Sequence, residues 1–166
     1  MRKYMLILIA VLIITLTGCN IKFTAVINPS VDTVEVGTEW VDTGCTSTVG
    51  TCTTIDGSVD VNTVGEYHIE YLAVNEKEEI QLLRVVFVVD NIAPVLHLNS
   101  GIDTIGIDEV WIDGGCIAND NYDAEVTCNI SNNTIDSSSP GVYVVTYQAI
   151  DTNGNTAEIN RVVVVE

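Results

Sequence analysis

Positive charge is scarce in this chain. Its 166 residues include six Lys and Arg against 23 Asp and Glu, and only two histidines. A surface so acidic repels phosphates, which speaks against nucleic acid and anionic lipid headgroups as partners. Histidine is too sparse for familiar chemistry: Ser-His-Asp catalysis needs one beside a nucleophile, and zinc needs histidines or Cys-x-x-Cys pairs. His68 and His97 are not close in sequence to any cysteine pair, and Cys-x-x-Cys spacing does not occur. No apolar run is long enough to span a bilayer, and beyond the N-terminal segment no helical apolar period of useful length appears. Catalytic residues are therefore not expected, and an enzyme is not the reading of this chain.

Arg2 and Lys3 precede an apolar run from Met5 to Ile14, followed by Leu16-Thr17-Gly18-Cys19. A short basic head, an apolar stretch and small residues before a cut form the layout of a secretory signal. Leu-Thr-Gly-Cys resembles the lipobox of bacterial lipoproteins. That resemblance implies removal of residues 1–18 as a lipoprotein signal peptide and a diacylglycerol on the Cys19 thiol. It also implies acylation of the new N-terminus, of the palmitate kind. Residues 19–24 would then be the lipidated cysteine and a tether. The membrane becomes a partner through the lipid anchor, and the expected location is the extracytoplasmic face of the bacterial cell membrane. Arg2 and Lys3 leave with the signal, so four cations face 23 acids and the mature charge is −19.

Five cysteines divide into Cys19, the pair Cys45 and Cys52, and the pair Cys116 and Cys128. Setting aside the lipidated one leaves an even number, as expected for disulfides in an oxidising compartment. Four cysteines permit three pairings; the local one, Cys45–Cys52 and Cys116–Cys128, is favoured by an internal duplication. Val34 to Cys45 lines up with Ile105 to Cys116 at an offset of 71, including Trp40 with Trp111 and Asp42 with Asp113. Val64-Gly65-Glu66-Tyr67 and Tyr71-Leu72-Ala73-Val74 recur as Pro140-Gly141-Val142-Tyr143 and Tyr147-Gln148-Ala149-Ile150 at an offset of 76, and Arg84 recurs as Arg161. A duplication of this kind sets the domain count at two. The expected boundaries are 25–90 and 91–166, joined at Asp90-Asn91-Ile92-Ala93-Pro94.

Each copy reads as strands. Tyr67, Ile69, Tyr71 and Ala73 alternate with His68, Glu70 and Leu72, and Tyr143, Val145, Tyr147 and Ala149 repeat that alternation, which puts both tyrosines of a copy on one core-facing side. Leu82 to Val89 and Arg161 to Val165 are β-branched runs, and Asp151-Thr152-Asn153-Gly154-Asn155 is a hairpin turn signal. The fold class is all-β, with two tandem sandwiches. Modules of about 70 residues bury a limited core, and each bridge is expected to act as a local staple on one hairpin or loop edge.

The order V-x-V-G-x-x-W-x-D-x-G, then G-x-Y-x-x-x-Y-x-A-x-D-x-x-G-N, then R-x-V-x-V resembles the bacterial surface immunoglobulin-like domain. This module is also found in an insecticidal crystal protein and in many cell-surface proteins. Trp111, Asp113, Gly115, Gly141, Tyr143, Tyr147, Asp151, Gly154, Asn155 and Arg161 carry the resemblance in the second copy. In the first, Asn75-Glu76-Lys77-Glu78-Glu79 replaces the Asp-x-x-Gly-Asn turn. The resemblance implies two tandem immunoglobulin-like β-sandwich domains used for spacing, display or adhesion, with no shared catalytic residues.

Trp40 and Trp111 are expected in core or strand-edge packing rather than as sugar-stacking platforms. The Gly-x-Tyr starts at Gly65 and Gly141 suggest tyrosine corners. Asp120, Asp123 and Glu125, with Asn119 and Asn121 nearby, offer the oxygen ligands calcium takes, and Asp151 joins them if the loops converge. The fixed glycine of a calcium loop is missing, and solvated turns are the ordinary reading of such residues. Two functions follow: display, adhesion or binding of an unknown surface protein or glycan, or a non-binding spacer or envelope component stiffened by calcium. Binding predicts an exposed apolar or aromatic patch on the second domain, most of all on its loops. The spacer predicts evenly polar surfaces.

Overall fold

The computed structural model describes residues 21–166; the expected signal segment, residues 1–18, and Cys19 lie outside the described residues. The chain is all-β. The first six strands are β1 (Ala25–Ile27), β2 (Thr33–Glu35), β3 (Cys45–Ser47), β4 (Thr51–Asp56), β5 (Gly65–Val74) and β6 (Glu79–Val89). The next six are β7 (Val95–Leu98), β8 (Thr104–Ile105), β9 (Cys116–Asn119), β10 (Cys128–Asn133), β11 (Gly141–Ile150) and β12 (Thr156–Val165). Each set makes a sandwich of one two-stranded and one four-stranded sheet. The orders are β1-β3 with β2-β6-β5-β4, and β7-β9 with β8-β12-β11-β10. The topology is the same written twice, as the duplicated sequence requires.

Period-two alternation positions both cores. Ile69, Tyr71 and Ala73 of β5, with Val86 and Val88 of β6, are buried in the first sandwich. Val145, Tyr147 and Ala149 of β11, with Val163 and Val165 of β12, take those places in the second. Trp111 and Tyr143 pack against the second core cluster. Trp40 and Trp111 are half-buried, and each indole N–H donates to a carbonyl nine residues earlier: Val31 O at 2.8 Å and Ile102 O at 2.9 Å. Both tyrosine corners form. Tyr67 donates to Thr63 O at 2.7 Å and Tyr143 to Ser139 O at 2.9 Å.

Both cysteine pairs form disulfides, with Cα–Cα distances of 5.7 and 5.8 Å. Their placement differs from the expected staple within one hairpin or loop edge. Cys45 lies on β3 and Cys52 on β4, strands of different sheets, and Cys116 on β9 and Cys128 on β10 repeat this. The short connection turns the corner between the two layers. A bridge that is local in sequence therefore still ties sheet to sheet.

A buried arginine occupies each core, in phase with the buried valines of the last strand. Arg84 Nε donates to the Tyr71 hydroxyl at 3.0 Å, and Nη1 reaches Asp32 Oδ1 at 2.7 Å. Nη2 meets Asn28 O and Thr43 Oγ1. Tyr71 in turn donates to Asp42 Oδ1 at 2.5 Å. The second sandwich places Arg161 on Asp103 and Asn99 O and Tyr147 on Asp113 in the same way, but Arg161 Nε is buried without a hydrogen-bond partner. A buried guanidinium is tolerable only when hydrogen-bonded and charge-matched in this way. Burial pushes the Asp42 carboxyl up, but the Tyr71 hydroxyl, the Gly44 N–H and Arg84 together hold it below the ordinary carboxylate value. Gly44 and Gly115 take φ of 70° and 72°, which lets their N–H groups turn back onto Asp42 and Asp113.

Candidate functional site

Three chain segments meet where the first sandwich ends and the second begins. The first is the junction itself. Asp90 follows β6 and is buried, with 5% of its surface exposed. Its Oδ1 caps the Ile92 N–H at 3.2 Å, and the buried ring of Pro94 closes the stretch. The second segment is the β11–β12 hairpin. Asp151, 7% exposed, accepts from the Asn153 N–H at 2.9 Å, the Asn155 N–H at 2.7 Å and the Asn155 side-chain amide at 2.7 Å. Gly154 takes φ of 93° to complete this turn. The corresponding first-copy turn, Asn75 to Glu78, is one residue shorter. Asn75 Oδ1 there accepts the Lys77 and Glu78 N–H groups, so a polar side chain still organises the hairpin.

The third segment is the loop after β9. Asp120 Oδ1 accepts the Tyr122 and Asp123 N–H groups, both at 2.9 Å. Asp123 accepts from Thr152 N at 2.7 Å and from its hydroxyl at 2.8 Å, pinning the loop to the hairpin. The hairpin is pinned to the junction in turn: Asn153 Nδ2 donates to Asp90 Oδ2 at 2.9 Å and Asn155 Nδ2 to Asp90 O at 3.1 Å. The first sandwich touches the same region through Val64 N–H on the Tyr122 hydroxyl at 3.4 Å and Asn91 N–H on Glu35 at 2.9 Å.

One carboxylate oxygen from each of Asp90, Asp120 and Asp151 falls within 4.8 Å of the others. None of the ion pairs found among the described residues involves them. Asp120 Oδ2 is buried, exposing under 1 Å², and meets no hydrogen-bond donor. For Asp151, burial pushes the carboxyl up, but the hydrogen bonds from Asn155, Asn153 and Gly154 outweigh it and hold the group below its ordinary value. It is therefore an anion at neutral pH.

Of the oxygen ligands named from the sequence, Asp120 and Asp151 come together here. Asp123 is engaged with Thr152, and Glu125 is exposed and outside the cluster. Asp90 is named from the sequence only as part of the junction and not as a ligand: a lone acid there carries no spacing signal that ties it to loops 30 and 61 residues further on. His68 is exposed on the outer face of β5 beside Glu66, at 2.7 Å, and His97 is exposed on β7.

A second feature distinguishes the two copies. On the outer face of the second four-stranded sheet, Val142 pairs with Val164 and Val144 with Val162. Val142 is 70%, Val144 36% and Val162 51% exposed. The same register positions in the first sandwich are Glu66 opposite Phe87 and His68 opposite Val85. The loop following β8 also carries exposed Ile107, Val110 and Ile112, the last matched by exposed Val41 in the first copy.

The family model described as bacterial surface protein, Ig-like domain matches residues 29–88 and again residues 102–165. An uncharacterized 81.3 kDa protein of Acholeplasma phage L2 is 30% identical over 112 residues, which cover 63% of this chain and 15% of that protein. The crystal structure of human protocadherin-24 EC1-2 aligns over 89% of this chain and all of that one. Its identity is 13% and its TM-score 0.38, too low for the overlay to bear on function.

Proposed function

The chain belongs to the bacterial surface protein Ig-like domain family, and from that premise we propose that it is a lipid-anchored binding protein of the cell exterior. In this reading Cys19 carries the lipid anchor, residues 19–24 form the tether, and the sandwiches at 25–90 and 91–166 project from the membrane. The second sandwich carries the contact surface for a surface protein. The observation that supports binding over a featureless spacer is the apolar ladder of Val142, Val144, Val162 and Val164. An antiparallel sheet ordinarily presents polar side chains to water on its free face. Here four valines stand at adjacent positions, whereas Glu66 and His68 occupy the matching strand of the first sandwich. Contiguous apolar surface of this kind marks an interaction site, and it suits a protein partner better than a glycan.

The reading is tested with a photo-crosslinking side chain at position 142 or 144 in the intact, membrane-bound protein on living cells. Position 66 of the first sandwich serves as the comparison. A discrete adduct from 142 and 144, absent from 66 and lost on Val162→Lys, is the expected result. Equal or no adducts at all three positions would leave the spacer as the better description. The anchor is checked separately: Cys19→Ser is expected to leave the signal uncleaved and the protein without lipid, read by intact mass.

A further inference from the structure

We propose that Asp90, Asp120 and Asp151 form a calcium site that locks the second sandwich to the end of the first. Three carboxylates from the junction, a loop and a hairpin converge on one point, two of them buried. Their hydrogen bonds come from backbone and asparagine amides, which orient carboxylates without neutralising them. Asp120 Oδ2, buried and without a donor, has a lone pair directed nowhere else among the described residues. Buried oxygens left unsatisfied in native proteins call for a partner, and beside two further carboxylates that partner is a cation.

The donor set identifies the cation. It is all oxygen, so it suits a hard ion and not a thiophilic one. Donors drawn from three independent segments suit calcium, which accepts six to eight oxygens in irregular arrangement at about 2.3–2.6 Å, better than magnesium, which demands a near-ideal octahedron. Solvent reaches the partly exposed Asp120 and completes the shell.

The first sandwich supplies an internal control. At the offset of 71, Val49 stands where Asp120 stands, and at the offset of 76, Asn75 stands where Asp151 stands. Among the described residues the first sandwich therefore presents no such cluster at its own leading end. The site belongs to the junction between copies, and it stands whatever the outer face of the second sandwich binds.

The test uses the detergent-solubilised full chain, stripped with chelator and titrated with calcium chloride by calorimetry. One saturable site per chain is expected, with a Kd on the order of 0.1–1 mM as in extracellular modules. Asp120→Asn and Asp151→Asn should each weaken it at least tenfold, while Glu70→Gln on the first sandwich should not change it. In chelator Asp120→Asn should melt at or above the wild type, because a like charge has been removed, whereas Asp151→Asn should melt below it, because its carboxylate accepts three amide hydrogens; in calcium the wild type should gain about 5–10 °C. A readout on the wild type alone guards against variants that misfold. Calcium should slow amide exchange at 90–94, 120–123 and 151–155 and leave the 75–78 turn unchanged. No uptake below 10 mM, unsaturable uptake equal in all variants, or protection spread evenly over both hairpin turns would each overturn the proposal.

Discussion

Replacing Arg161 with methionine tests the claim that each sandwich is organised around its buried cation. The guanidinium side chain is 2% exposed and reaches Asp103, Asn99 O and Gly115 O, while Asp103 itself is 52% exposed. Removing one partner of a buried pair costs about 3–5 kcal/mol when the other charge is stranded. Asp103 is not stranded, because water can take over its exposed oxygens, so its share is discounted. The Asn99 carbonyl loses its donor, a loss of about 1–3 kcal/mol, while Gly115 O keeps the Asn99 N–H at 3.0 Å. A total of about 3 kcal/mol follows. For a sandwich of this size that corresponds to a fall in melting temperature of about 10–20 °C. The chain holds two tryptophans, one in each sandwich. In a Trp40→Phe background, Trp111 fluorescence reports the second sandwich alone. Arg161→Lys should recover little, since an ammonium cannot reproduce the planar fork. A melt of Arg161→Met within 3 °C of its parent would refute the reasoning and reduce the arginine to filler.

Two further outcomes concern stability. Asp42 has its carboxyl held below the ordinary value of 3.8, so its contribution is complete above that range and is lost as pH falls through the lowered value. The wild type should therefore exceed Asp42→Asn in urea midpoint at pH 6 and lose that advantage progressively as pH falls below the ordinary value of 3.8; an advantage that stays constant with falling pH contradicts the assignment. The disulfides close loops of 7 and 12 residues in sequence separation, worth about 2.5 and about 3 kcal/mol by loop entropy. Cys116→Ser with Cys128→Ser should thus cost slightly more in urea unfolding than Cys45→Ser with Cys52→Ser, and a reversal of that order counts against the loop account.

Much of this architecture was legible because the sequence states it twice. The alternation around Tyr71 and Tyr147 sets which face is buried, and the Gly-x-Tyr starts identify the corner tyrosines. The cysteine pairing follows from duplication. What the bridges join did not, because sequence separation says nothing about which layer each strand enters. The arginine cores were overlooked although a signal was present. Arg84 is in phase with Val86 and Val88, as Arg161 is with Val163 and Val165, and these two make up half of the four Lys and Arg of residues 21–166. A cation repeated at a core-phase position in both copies is a buried one. The acidic cluster was half visible: loop convergence brings Asp120 and Asp151 together, but Asp90 enters only because the junction folds back beneath the hairpin.

The first and last strands of the four-stranded sheets run parallel. Thr33 to Glu35 lie alongside Phe87 to Val89, and Thr104 and Ile105 alongside Val164 and Val165. Tension applied between the two termini of either sandwich therefore drags these neighbours past one another in shear. Their backbone bonds, among them Val36 N–H to Val89 O at 2.8 Å and Val164 N–H to Asp103 O at 2.8 Å, must yield together and not one by one. A chain held at one end and gripped at the other is loaded along its most resistant direction.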